Sequence, residues 1–144
     1  MLGLNNRVKE LIIPASVSTS GTTATIDTVG GDYLAIYVAA NTASTTMTAL
    51  KLSEGDTTSS YTDIVAFTGG TATSASVGFV IPSADTTNGV RVAFFVNLAP
   101  RKRYLQLTVT PGVAQVTHAW AEFIAEDDRR TTDAGLGYSK IVYG

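Results

Sequence analysis

Turn signals punctuate this chain at short, regular intervals: Ser20-Gly21, Gly30-Gly31, Gly55-Asp56, Gly69-Gly70, Ser83-Ala84-Asp85, Asn88-Gly89, Ala99-Pro100 and Pro111-Gly112. Between them no run sustains a 3.6-residue period, while apolar and polar residues alternate repeatedly. That combination predicts an all-β sandwich or barrel. The strands are expected near residues 8–17, 22–28, 33–39, 46–54, 61–67, 75–81, 89–97, 103–110 and 113–125, which makes eight or nine.

The stretch from Asp32 to Phe67 reads as scaffold. Leu34, Ile36 and Val38 share one face of a pleated strand, and Tyr33, Ala35 and Tyr37 share the other. Leu50 and Leu52 alternate with Lys51 and Ser53, Glu54-Gly55-Asp56 supplies turn chemistry, and the next strand opens at Tyr61. Leu34, Ile36, Val38, Leu50 and Leu52 are therefore expected in the core. Tyr33, Tyr37 and the Glu54-Gly55-Asp56 turn are left for contact with another subunit.

Two further segments carry clear patterns. Leu105, Leu107 and Val109 alternate with Gln106 and Thr108, and Pro111-Gly112 then turns the chain into 113–124, so a hairpin of two central strands is expected. Val90, Val92, Phe94 and Val96 form a wholly apolar face opposite a mixed one of Arg91, Ala93, Phe95 and Asn97, with Phe95 directed outward. Pro14 and Pro82 belong at strand edges or ends, since each removes a backbone donor.

At 144 residues the chain is one domain's worth. It divides into an N-terminal arm and first strand (1–17), a β-sandwich body (18–125) and a C-terminal tail (126–144). The tail holds the cluster Glu126-Asp127-Asp128-Arg129-Arg130 and closes on Tyr138, Ile141, Val142 and Tyr143. Those apolar residues pack on their own sandwich or on a neighbouring subunit.

Charged residues make up only 15% of the chain, against roughly 25% in typical soluble domains. Two explanations stand: an ordinary Thr-rich β protein, or one whose large faces are covered by partners. A balance of 10 basic against 12 acidic residues argues against a nucleic-acid binder. With no cysteine there is no disulfide framework, thiolate metal site or thiol nucleophile. The first residues hold too short an apolar run for a signal-peptide core or a membrane span, so synthesis in a cytoplasm and no membrane partner are expected.

The catalytic inventory is thin. His118 shares a strand face with Val116, Trp120, Glu122 and Ile124, and no Gly-x-Ser-x-Gly elbow nominates a serine partner. A structural or interface role fits it better. Glu122, Glu126, Asp127 and Asp128 could supply a glycosidase acid and base, yet their mixture with Arg129 and Arg130 reads as a salt-bridge patch. Neither they nor Glu54-Gly55-Asp56 follow calcium-loop spacing, and no phosphate loop appears. No catalytic, cofactor or metal residue is assigned. Arg101-Lys102-Arg103 is the one basic run, either a solvated loop tip or an anchor onto an acidic protein surface.

The succession Asp32-Tyr33-Leu34-Ala35-Ile36-Tyr37-Val38, Thr48-Ala49-Leu50-Lys51-Leu52-Ser53-Glu54 and Tyr61-Thr62-Asp63-Ile64 resembles a family of small structural proteins of tailed bacteriophages. Ile81-Pro82-Ser83-Ala84-Asp85 and the distinctive Asn97-Leu98-Ala99-Pro100-Arg101-Lys102-Arg103-Tyr104-Leu105 are similar to the same group, over roughly residues 20 to 125. The resemblance implies an antiparallel, jelly-roll-like β-sandwich. It also implies a non-enzymatic head decoration or cement protein on the virion exterior, a homo-oligomer such as a trimer, bound to the major capsid protein. Partner contacts are then expected at Arg101, Lys102, Arg103, Arg129, Arg130, Tyr138, Ile141, Val142 and Tyr143. The alternatives are a carbohydrate-binding or adhesion module, with Tyr33, Tyr37, Tyr61 and Trp120 as an aromatic platform, and a tail or head-tail junction component.

Overall fold

A computed structural model describes residues 7–83, 87, 89–124 and 139–144. Alternation turns directly into strands: β1 (Val8–Val17), β2 (Thr22–Asp27), β3 (Tyr33–Ala40), β4 (Ala49–Thr57), β5 (Ser60–Gly70), β6 (Phe79–Val80), β7 (Val90–Asn97), β8 (Tyr104–Thr110), β9 (Gln115–Ile124) and β10 (Lys140–Tyr143). They form two five-stranded sheets, β1-β9-β3-β7-β10 and β2-β8-β4-β5-β6, packed as a β-sandwich. Every pairing is antiparallel except β10 on β7 and β6 on β5.

The core lies between the sheets. Leu34, Ile36 and Val38 of β3 and Val92, Phe94 and Val96 of β7 face Leu50 and Leu52 of β4 and Leu105, Leu107 and Val109 of β8, all buried. Phe94 meets Phe67 and Phe79 edge-on, with ring centroids 5.7 and 5.6 Å apart. Burying one such side chain contributes about 1.5–3 kcal/mol, which makes this the main source of stability.

Four expectations need correction. The Pro111-Gly112 segment does not close a hairpin: β8 lies in one sheet and β9 in the other, each central in its own. Turn chemistry fixes a reversal but not pairing, and two strands whose inner faces are both buried, Leu105, Leu107 and Val109 on one and Ala119, Ala121 and Phe123 on the other, bury more area by facing each other across the sandwich. Glu54, Gly55 and Asp56 are strand residues of β4, and the chain reverses at Thr58-Ser59. Gly55 serves a close approach instead, because a Cβ there would collide with the Ser60 backbone carbonyl beside a register shift. The strand expected at 75–81 shrinks to the two residues of β6. Finally, the chain's last residues add β10 to the sheet edge, a short strand without enough alternation to announce itself.

Pro14 lies in the edge strand β1, within the register shift between Ile12 and Ala15, and Pro82 follows β6. Both sit where a missing donor costs no ladder bond.

Candidate functional site

The outer faces of the two sheets differ sharply in chemistry. On β9, Val116, His118, Trp120, Glu122 and Ile124 point outward while Gln115, Thr117, Ala119, Ala121 and Phe123 are buried. Register carries that outward row across the sheet: Trp120 lies opposite Tyr37, Ala35 opposite Phe95, and Phe95 opposite Tyr143. The result is a continuous row of rings over four strands. His118 lies 4.8 Å from Trp120, Trp120 stacks on Tyr37 at 5.1 Å, Tyr37 meets Phe95 edge-on at 6.3 Å, and Phe95 stacks on Tyr143 at 5.4 Å. Each such pair contributes about 0.5–1.5 kcal/mol beyond its area burial. Ala35, Ala93, Phe95 and Ile141, with Tyr37, Ile124 and Tyr143 against them, form a second apolar cluster separate from the core.

The opposite sheet turns hydroxyls and paired charges outward. Thr23, Thr108, Lys51 and Thr68 fall in one register row, and Thr25, Gln106, Ser53 and Asp63 in the next. Lys51 Nζ and Ser53 Oγ donate to Asp63 at 2.7 and 2.6 Å. Partial burial pushes the Asp63 carboxyl up, but the Lys51 and Ser53 hydrogen bonds outweigh it and hold it below the usual carboxylate range. Tyr61 also belongs here, its hydroxyl 3.1 Å from that of Thr25.

The basic run is matched within its own chain. Arg103 forks onto Asp27 through Nε at 3.1 Å and a terminal nitrogen at 2.8 Å, Lys102 Nζ reaches Asp56 at 2.8 Å, and Arg101 lies 3.7 Å from Glu54. Glu54 also accepts the Lys102 backbone N–H at 3.1 Å. The Arg103 hydrogen bond, then that of the Val29 N–H, holds the Asp27 carboxyl low, and Asp27 and Asp56 in turn raise Arg103 and Lys102. The three residues expected as an external anchor are therefore neutralised by β2 and β4.

Among the expected tail contacts, Ile141 and Val142 are buried against their own sandwich and Tyr143 stacks on Phe95. Arg129, Arg130 and Tyr138 lie outside the described residues, as do Glu126, Asp127 and Asp128. His118 Nε2 is 3.3 Å from the Glu10 carboxylate, joining β9 to β1. Among the described residues no three His, Asp or Glu side chains gather around a common point. Of the four aromatics expected to form a platform, Tyr33, Tyr37 and Trp120 share the outer face of one sheet and Tyr61 sits on the other.

The residues that the sequence left unremarked are Glu10 as the histidine's partner and Asp27 as the arginine's. Both contacts join strands distant in sequence, and no local pattern signals them. Compared with protein families, curated proteins and solved structures, the chain finds no match.

Proposed function

We propose that this protein is a non-enzymatic structural component that works through its surfaces, a homo-oligomer bound to the major capsid protein on the exterior of a tailed-phage head, which it stabilises. The observation that carries this reading is the contrast between the two outer faces, one built of rings and aliphatic side chains, the other of hydroxyls and internally paired charges. Rings and aliphatic side chains on the side of a sheet away from the core make a face built to be covered, and its centre is already shielded, with Phe95 and Ile141 only 8% and 4% exposed, so a partner would meet the half-buried Tyr37, Trp120 and Ile124 around it. The resemblance noted above supplies the viral setting, and the strand order supports it: β1-β9-β3-β7 facing β2-β8-β4-β5 is the order we read as a jelly roll, with β6 and β10 added at the edges.

Association by sheet edges is disfavoured. β1 carries Pro14 and two register shifts, β6 has two residues and β10 four. Faces and loops remain, and several weak contacts per oligomer would combine through effective concentration on a repeating lattice.

The carbohydrate-binding reading loses support from the ring geometry. Tyr37 and Trp120 lie 28° from parallel and turn their faces toward each other, so what they offer outward is mostly ring edges, whereas a sugar docks on an open ring face.

Light scattering of the purified protein, with heating of undecorated heads in its presence and absence, tests the proposal. An oligomeric mass and heads that survive a higher temperature support it; a monomer that leaves the heads' thermal transition unchanged refutes it.

A further inference from the structure

We infer that Arg7 and Lys9 guard the open edge of β2, and that without them a second copy of this chain pairs with that edge, β2 to β2. The inference stands on strand geometry and is independent of the phage-head reading.

Each sheet has two edges. β1 is interrupted by Pro14 and two register shifts, and β6 and β10 are too short to template a long partner. β2 is the exception. Its six residues, Thr22–Asp27, contain no proline and pair with β8 in unbroken register, and Thr22, Thr23, Thr25 and Ile26 favour extended chain. Such an edge is a ready template for another strand.

The ladder shows which backbone groups face the open side. The Thr28 N–H donates to the Arg103 carbonyl at 3.0 Å, so even-numbered residues address β8, and the N–H and C=O groups of Thr23, Thr25 and Asp27 point away from it. Thr25 is the middle of the three. Two copies related by a two-fold axis there would set Thr25 against Thr25 and Thr23 against Asp27, exchanging main-chain hydrogen bonds at each pair.

That middle position is occupied. Lys9 reaches from β1 across the mouth of the sandwich, and its Nζ donates to the Thr25 carbonyl at 2.8 Å. Two residues earlier, an Arg7 terminal nitrogen donates to the Val29 carbonyl at 3.1 Å, while the Val29 N–H donates to Asp27 at 3.2 Å. An incoming strand would have to displace the ammonium and exchange a charge-assisted hydrogen bond for a neutral one.

Placement agrees with a guarding role. Lys9 pairs with the fully buried Ala121, and Arg7 lies 4.4 Å over the Phe123 ring, so both stand on the side of β1 that faces the other sheet, where alternation favours apolar residues. Inward-pointing charge on an edge strand is one of the ways native sheets block growth. Exposed contacts of long cationic side chains add little stability, which leaves protection of the edge as their main consequence.

Sedimentation velocity of full-length R7A/K9A over a range of concentrations tests this. Circular dichroism establishes that each variant is folded, and K9A alone carries the test if the double change unfolds the chain. The inference expects R7A/K9A to gain mass over wild type as concentration rises, roughly two-fold or more. K9R, which keeps a cationic donor, should stay at the wild-type mass. T23P added to R7A/K9A should restore that mass, because it removes a donor on the open side and none from the ladder. Folded R7A/K9A that sediments as wild type at every concentration overturns the inference. So does a heavier species that T23P leaves unchanged, since the copies would then meet elsewhere.

Discussion

Tyr37 and Trp120 stack across β3 and β9 with ring centroids 5.1 Å apart, on the side of the sheet away from the core. A stack in that position stabilises the sheet and at the same time defines an outer surface unlike that of the partner sheet. We expect Tyr37→Ala and Trp120→Ala to be non-additive, with a coupling of about 1 kcal/mol in a double-mutant cycle followed by urea unfolding. A coupling near zero would mean that the rings are neighbours without mutual stabilisation.

Phe94→Ala should cost about 3–5 kcal/mol, because it removes a fully buried ring that meets both Phe67 and Phe79. Thr108→Ala, on the outer face of the hydroxyl-bearing sheet, should stay within about 0.5 kcal/mol. Chemical denaturation of the two variants side by side checks the assignment of inner and outer faces.

Gly55→Ala should destabilise by about 1–3 kcal/mol despite the small change, since its methyl would press on the Ser60 carbonyl. Ser59→Ala, in the neighbouring turn, should be nearly silent by the same measurement. If instead Gly55→Ala were neutral, the backbones would be farther apart than described.

The paired carboxylates give the fold an acid-side weakness. Asp27 and Asp63 are held below their ordinary values in the folded state, so their contribution is present above the unfolded carboxylate value, about pH 4, and is lost as pH falls through the lower folded values. Lys102 and Arg103 are raised, so theirs is present below the unfolded values and fades only at strongly alkaline pH. Asp63→Asn should flatten the decline in melting temperature below pH 4 and leave the profile between pH 6 and 8 parallel to wild type, with salt weakening the difference. An unchanged acid limb would contradict the pairing.

Much of this arrangement was legible from alternation. The inner faces of β3, β7, β8 and β9 follow from period two, as does the outward row holding Trp120 and His118. Pairing was not legible. Pro111-Gly112 looks the same whether it joins strands of one sheet or of two, and the choice depends on apolar faces meeting across the core. Arg101-Lys102-Arg103 reads as a cationic patch until β2 and β4 bring Asp27, Glu54 and Asp56 alongside. The ring row is a register effect: Tyr37, Phe95, Trp120 and Tyr143 are scattered in sequence and meet only when four strands align.

The central claim is that this sandwich acts by covering another surface. Counting copies bound per head, after purified protein is mixed with undecorated heads of the phage that encodes it, tests this most directly. The account predicts saturation at a fixed number of copies set by the capsid lattice; heads that stay bare at saturating protein would contradict it.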